Sequence, residues 1–318
     1  MTISPLLQWA AGLMLGAGAA STLAGLMAPL VPTLDGINHF RPLILIGGVA
    51  CVAVAYLGGS ARQLRAASGL AIINAALLAL PMLTSAATTQ GQARASSGGL
   101  LSVMTFNMAT TPRAIDNVAE LILARAPDIV VLQEVTRAHA ETLHRRLGAR
   151  YPWRHTCTHT QGCSQMLLSR HPWAEAQHVY RASGGPEMVW ARFDDRSLGR
   201  LHVHGLHMAW PFRPETQVRH VDRLIEHSRE VAGPAIYAGD FNLTPWSYQL
   251  QRLQWRTGLR RHATALRSWP TDGQLHLPFP VFLIDHVMTT PDIRKVAIET
   301  GPSMGSDHLP VIATLALP

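Results

Sequence analysis

The sequence predicts an α/β domain behind a bundle of three transmembrane helices, and three observations carry that expectation. Charge is unevenly spread: before residue 100 the formal charges are Asp35, Arg41, Arg62, Arg65 and Arg94, whereas 23 basic and 19 acidic residues lie from Leu100 onward. Three long stretches before residue 90 carry no charge at all. Beyond residue 100, short apolar β-branched segments alternate with segments of helical periodicity.

The uncharged runs are 5–31, 42–59 and 69–89, of 27, 18 and 21 residues. A helix needs about 20 apolar residues to cross a hydrocarbon layer of about 30 Å, so each run qualifies. A signal peptide would show one basic leader and one short apolar core, not three long cores. A soluble core helix would keep a polar face. The loop 60–68 carries Arg62 and Arg65, and the loop 32–41 carries Arg41 offset by Asp35. Lys and Arg favour the cytoplasmic side, which places 60–68 inside and everything after Thr89 outside. Residues 1–89 thus read as a multi-pass membrane region whose partner is the lipid bilayer. The Ser/Thr/Gly/Ala-rich residues 90–99 read as a flexible linker, and 100–318 as the outer domain.

Cys51 falls within the middle span. Cys157 and Cys163 stand six positions apart in the polar stretch HTCTHTQGC. In an oxidising compartment they form a candidate disulfide. The alternatives are a zinc site shared with His155 and His159, whose spacing fits no common zinc pattern, and two unrelated thiols.

In the outer domain, 100–108 reads as a strand, 113–127 as a helix closed by Pro127, and 128–135 as a second strand, a βαβ-like unit. The segments MLLSRHP, MVWARFD and RLHVHGLHM follow as strands, then an amphipathic helix that ends at Gly233. PAIYAGDFN, LIDHVMTT and VIATLAL complete the strands. Several are apolar along the body and polar at the tip: Asn107, Glu134, His207, and Asp240 with Asn242. Asp285 and the pair Asp307–His308 sit near other strand ends. In layered α/β folds, sites form where strand ends converge.

The segments TFNM, LQEV, GLHMAWP, GDFN, IDHVM and GSDHLPV, in this order, resemble the motifs of the endonuclease/exonuclease/phosphatase superfamily. GDFN followed some 65 residues later by SDH-x-P is the most specific part. The resemblance covers about residues 100–318 and implies a four-layered α/β sandwich with two facing mixed β-sheets. Three spans ahead of such a domain look like a subgroup of bacterial envelope proteins, which implies the inner membrane with a periplasmic domain. Matched residue by residue, the resemblance implies that Glu134 and Asn107 hold a divalent metal, with Asp307 as a further acid on the metal or phosphate side. It implies that His207 binds phosphate, that Asp240 and Asn242 position water and the scissile phosphate, and that Asp285 orients His308 as general base or acid.

The chemistry of the side chains agrees. A phosphodiester anion repels hydroxide, and a hard cation such as Mg²⁺ (or Mn²⁺) takes carboxylate and amide oxygens. A histidine near neutral pKa exchanges protons, and a carboxylate behind it fixes its tautomer. The chain departs from the nuclease pattern at 155–170, where His155, His159, Gln165 and Arg170 are the available substrate contacts. Trp210, Phe212 and Arg213 follow His207 and suit an anion with an apolar neighbour. His202 and His204, on the opposite strand parity, read as surface or core residues. The outer domain has a net charge of only +4 (23 minus 19), less than the dense basic stripe of a duplex-DNA binder. The expected activity is phosphoesterase hydrolysis of a nucleic acid, a lipid headgroup or a phosphomonoester, with no protein partner. The alternative is a non-catalytic envelope domain that keeps the fold for binding.

Overall fold

The computed structural model describes residues 5–87, 99–109, 115–159, 162–179, 184–262, 265–271 and 280–318. The linker expected over 90–99 lies outside them except for Gly99.

Four helical segments open the chain: α1 (Pro5–Leu26), the single turn α2 (Asp35–Asn38), α3 (Arg41–Gly58) and α4 (Ala61–Ala87), with a 3₁₀ turn at Pro32–Leu34 before α2. Three of them, over Pro5–Leu26, Arg41–Gly58 and Ala61–Leu83, are long and apolar enough to cross a membrane. Two expectations are corrected here. Residues 61–68 are not a loop but the first turns of α4. Ser60 and Gln63 form a reciprocal cap, Gln63 N donating to Ser60 Oγ and Ser60 N to Gln63 Oε1. That cap and the helix formers Ala, Gln, Leu and Arg start the helix directly after Gly59. Arg41 is not a loop residue but opens α3, and it is buried, its guanidinium donating to Asn38 Oδ1 at 2.7 Å and Asn74 Oδ1 at 3.3 Å.

The chain from Leu100 onward consists of β1 (Leu100–Asn107), α5 (Ile115–Arg125), β2 (Ile129–Gln133), α6 (Arg137–Leu147), β3 (Trp153–His159), β4 (Cys163–Ser169), β5 (Glu175–Val179), β6 (Glu187–Asp195), β7 (Gly199–His207), α7 (Pro214–Glu230), β8 (Ala235–Asp240), α8 (Tyr248–Thr257), β9 (Arg260–Arg261), β10 (Asp285–Thr289), β11 (Arg294–Thr300) and β12 (Val311–Ala316). They form two six-stranded mixed sheets, ordered β11-β12-β1-β2-β4-β3 and β5-β6-β7-β8-β10-β9. Leu101, Val103, Ile129 and Val131 of the first sheet meet Val203, Ile236, Ala238 and Val287 of the second in the central core. On the outer faces, Met104, Phe106, Val130 and Leu132 pack under α5 and α6, while Leu206, Ala235, Tyr237 and Met288 pack under α7 and α8. The result is four layers, helix–sheet–sheet–helix. Burial on both faces explains why these strands read as unbroken apolar runs.

Two glycines allow close approaches. A Cβ on Gly205 would strike Val131 and Val189 between the sheets, and one on Gly239, at φ +154, would strike the Leu206 carbonyl of the adjacent strand. Cys157 and Cys163 are joined by a disulfide with Cα atoms 5.6 Å apart, both side chains buried in the central core. His155 instead contacts His178 at 3.0 Å.

Candidate active site

Strand parity aims the polar tips at one place. Along β8, Ile236 and Ala238 face the opposite sheet, so Asp240 does too; β1 repeats the pattern with Leu101, Val103 and then Asn107. Register aligns the tips across the second sheet: Glu187 pairs with His207, His207 with Asp240, and Asp240 with Asp285. β7 and β8 end where β6 and β10 begin, giving a row of four titratable side chains along one sheet edge.

Across the gap, Asn107 Nδ2 donates to Glu134 Oε1 and Asp240 Oδ2, both at 3.1 Å, and so ties the two sheets. Asp240 is also held by Asn242, whose backbone N lies 2.8 Å from Oδ1 and whose Nδ2 lies 3.2 Å from Oδ2. Burial first, then Asp285, raises the Asp240 pKa above the ordinary carboxylate value. His308 Nδ1 lies 2.8 Å from Asp285 Oδ2, and its Nε2 is 3.8 Å from Asp240 Oδ2 and 4.0 Å from Asp307 Oδ1. Burial opposes the imidazolium, but Asp285 and Asp240, then Asp307, outweigh it and raise the His308 pKa. His207 Nε2 is 3.8 Å from Glu134 and 3.9 Å from Asp240, with Nδ1 3.8 Å from Glu187. These are ion-pair distances rather than hydrogen bonds, and the three carboxylates raise the His207 pKa despite its burial. All eight residues expected from sequence therefore gather.

Glu134 and Asn242 share a second property. Both sit in the left-handed region, at φ +55 and +51, immediately beyond β2 and close after β8. Such backbone costs roughly 1 kcal/mol for a non-glycine residue and is concentrated where side-chain aim matters.

Among the described residues, Asp240, Asp285 and His308 bring one ligand atom each within 4.8 Å of one another. Asp285 Oδ1 is buried with no hydrogen-bond partner. Glu134, Asp240 and Asp307 line one cavity of about 360 Å³ together with Asn242 and His308. The oxygen-rich, thiol-free donor set that Glu134, Asp240 and Asp307 present to that cavity fits a hard divalent cation.

Several participants go beyond those eight, and of them Ser306 alone lies inside a family-like motif, GSDHLPV. Buried Glu187 accepts from Ser164 Oγ at 2.9 Å and faces His207. Trp269 Nε1 donates to Asp307 Oδ2 at 2.9 Å. Ser306 Oγ donates to the Asn107 carbonyl at 2.7 Å and accepts from His308 N at 3.0 Å. Gly36, His39 and Phe40, from the segment between α1 and α3, line the same cavity. Of the substrate contacts expected at 155–170, Arg170 instead pairs with Asp128 at 3.3 Å, at the start of β2 and away from the site. His155 is engaged by His178, Gln165 is buried, and the His159 side chain lies outside the described residues. His204 stacks on Tyr237 with ring centroids 4.4 Å apart, a core residue under α7.

Residues 104–308 match the family model described as the Endonuclease/Exonuclease/phosphatase family. No curated protein matches the chain significantly. Among solved structures, an endonuclease/exonuclease/phosphatase from Beutenbergia cavernae is 24% identical, covering 69% of this chain and 72% of that one, with a TM-score of 0.56. TDP2 of D. rerio, complexed with a single-strand DNA product, is 14% identical over 68% of this chain and 99% of its own, with a TM-score of 0.58. Sphingomyelinase C from Streptomyces griseocarneus is 19% identical over 68% and 99%, with a TM-score of 0.52. At such identities the likeness speaks for the fold, while the family model spans most of the two-sheet sandwich and all of its polar strand ends. The chain belongs to the Endonuclease/Exonuclease/phosphatase family of phosphoric-ester hydrolases.

Proposed function

We propose that this protein is a membrane-anchored, divalent-metal-dependent phosphoesterase whose catalytic domain, about 100–318, faces the periplasm of a bacterial inner membrane. The observation that carries the reading is the gathering of Glu134, Asp240, Asp307 and the His308–Asp285 pair around one cavity. Three apolar helices support the anchoring. So does the contact of both the 35–40 segment and the far end of α4 with the domain, since these two segments must lie on one side of a bilayer.

Glu134, with Asn107 and Asp307, is the proposed metal set, and Asp240 adds a further oxygen. Bound there, Mg²⁺ or Mn²⁺ would neutralise phosphoryl oxygens and the departing oxygen. The chain's own residues do the rest. Asp285 holds Nδ1–H of His308, which leaves Nε2 to carry a proton at the phosphate. Asp240, fixed by Asn107 and Asn242, orients the attacking water, and its raised pKa suits it to accept a proton. His207, kept cationic by its three carboxylate neighbours, binds a non-bridging oxygen.

Full-length protein in detergent should hydrolyse bis-p-nitrophenyl phosphate, lose turnover in EDTA and regain it with Mg²⁺ or Mn²⁺. Folded protein with no metal-dependent turnover would refute the enzyme reading and favour a non-catalytic binding domain.

A further inference from the structure

The catalytic cavity is not built by the outer domain alone. Gly36, His39 and Phe40 form part of its wall, together with Glu134, Asp240, Asn242, Asp307 and His308. The rest of the wall is apolar: Trp210, Pro211, Phe212, Trp269, Phe282 and Ile284. The aromatic rings are continuous. His308 to Trp269 is 6.4 Å, Trp269 to Phe282 is 5.7 Å, and Phe282 to Phe40 is 5.7 Å between centroids. Phe40 immediately precedes α3, so the ring chain runs from the His308 imidazole to the end of an apolar helix.

A second groove of about 330 Å³ shares Gly36, Phe40, Pro211 and Phe212 with the cavity and continues along Thr33, Ile37 and Pro214. It carries no charged side chain. Phe212 and Trp210 are 69% and 51% exposed, and Leu30, at the same end of the helical bundle, is 74% exposed. An open apolar path therefore leads from the bundle end to the acid-lined floor. No Lys or Arg lines either cavity, and the adjoining groove of about 710 Å³, which holds His207, contributes a single such residue, Arg213, whereas a polynucleotide needs cations along its backbone.

His39 adds a polar feature to this wall. It is 4% exposed, and its Nδ1 accepts from Thr244 N at 3.4 Å. That bond places the imidazole proton on Nε2, which is buried and has no partner among the described residues. Burial keeps the ring neutral, with a pKa lowered to about 4 although Asp35 is near. A buried donor without an acceptor is costly unless a ligand supplies one.

Building on the phosphoesterase reading, we infer that the segment between the first two apolar helices completes the substrate site, and that the substrate is a phosphate ester of an amphiphile. Its apolar chain lies between Phe40 and Phe212 toward the bilayer, and the Nε2–H of His39 donates to an oxygen of its polar end.

The test uses full-length protein in mixed micelles with ethyl and hexadecyl p-nitrophenyl phosphate. Water attacks phosphorus, the bond to the nitrophenyl oxygen breaks, and p-nitrophenol leaves in both cases, so only the alkyl chain differs. The wild type should show a kcat/KM at least about tenfold higher for the hexadecyl ester, the worth of one buried aromatic contact. Phe40→Ala and, independently, Phe212→Ala should lower the hexadecyl-to-ethyl ratio by about tenfold. Val296→Ala, on the exposed strand β11, should keep the ratio. His39→Phe should raise KM for the hexadecyl ester, with partial recovery in His39→Gln, which restores a donor. Equal use of the two esters, unchanged ratios in both aromatic variants, or faster cleavage of a single-stranded oligonucleotide would overturn the inference while leaving the phosphoesterase reading intact. Absence of turnover on every ester would sink both.

Discussion

Asp35 accepts a hydrogen bond from the Ser247 hydroxyl at 2.7 Å, across 212 positions of sequence. The same carboxylate accepts from the backbone N of Tyr248 at 2.7 Å and of Gln249 at 3.1 Å. The lone acid of the first hundred residues thus caps α8, a helix of the catalytic domain, where its charge also opposes the helix dipole. Asp35→Ala removes the acceptor of the half-buried Tyr248 N–H, while Gln249 N keeps Ser247 Oγ at 3.1 Å, and should cost about 1 kcal/mol of local stability. Hydrogen exchange should quicken across Tyr248–Leu250. Unchanged protection there would refute the docking role.

His308 and Asp285, 2.8 Å apart, make a coupled pair. Asp285→Asn keeps the shape but offers His308 Nδ1 the wrong partner or the wrong tautomer. The turnover number should fall by about 10²- to 10⁴-fold, with little change in KM. His308→Ala in the same background should add little more, because the two act as a unit. Full additivity of the two losses would contradict this coupling.

Backbone strain at Glu134 predicts a trade between stability and activity. Its side chain is 27% exposed and its φ is +55. Glu134→Gly should abolish metal-dependent turnover yet leave the melting temperature unchanged or raised, since relief of the left-handed conformation is worth about 1 kcal/mol. A marked drop in melting temperature would show that Glu134 is needed for packing instead.

Buried histidines set the acid limit, His204 among them with a pKa well below the ordinary value, while Asp240, raised to about 6, offsets part of the loss over the same window. Burial lowers His39 and His262 to about 4 and His286 to about 3. Neighbouring cations also lower His262 and His286, while Asp35 and Asp285 pull His39 and His286 the other way. Their folded values lie below the unfolded value of about 6.5, so their stabilisation is full above that pH and drains as pH falls toward 4 and below. Each should contribute a slope of about 1.4 kcal/mol per pH unit in that window. His308 has the opposite sign, with a contribution full below about 6.5 and lost on the alkaline side, so it does not offset the acid loss. Thermal unfolding in EDTA should show the midpoint falling between about pH 6.5 and 4.5; a flat profile there would disprove the assignment.

The site was legible in the sequence because strand parity is rigid. Once Ile236 and Ala238 face the central core, Asp240 must do so too, and the same logic holds for Asn107 and His207. Pairing partners were less legible. Glu187 joins the row through register with His207, and register is a property of two strands, not one. Trp269 and Ser306 act through contacts made by irregular segments, where no period exists to read. The helix α6 was unforeseen because its polar residues mask a capped turn: His139 N donates to Thr136 Oγ1 at 3.2 Å. The loop expected over 60–68 shows the converse, since the Ser60–Gln63 cap begins a helix whose first turns carry Arg62 and Arg65.

The engagement of Asp35, His39 and Phe40 with the two-sheet sandwich changes what counts as the enzyme. Cutting the chain near residue 99 to gain a soluble product would strip α8 of its carboxylate, bare the Trp246 indole that now bonds Leu78 O, and leave the reaction chamber with one side missing. Substitutions between the first two hydrophobic helices should therefore be judged by what the protein turns over, not by how firmly it is moored.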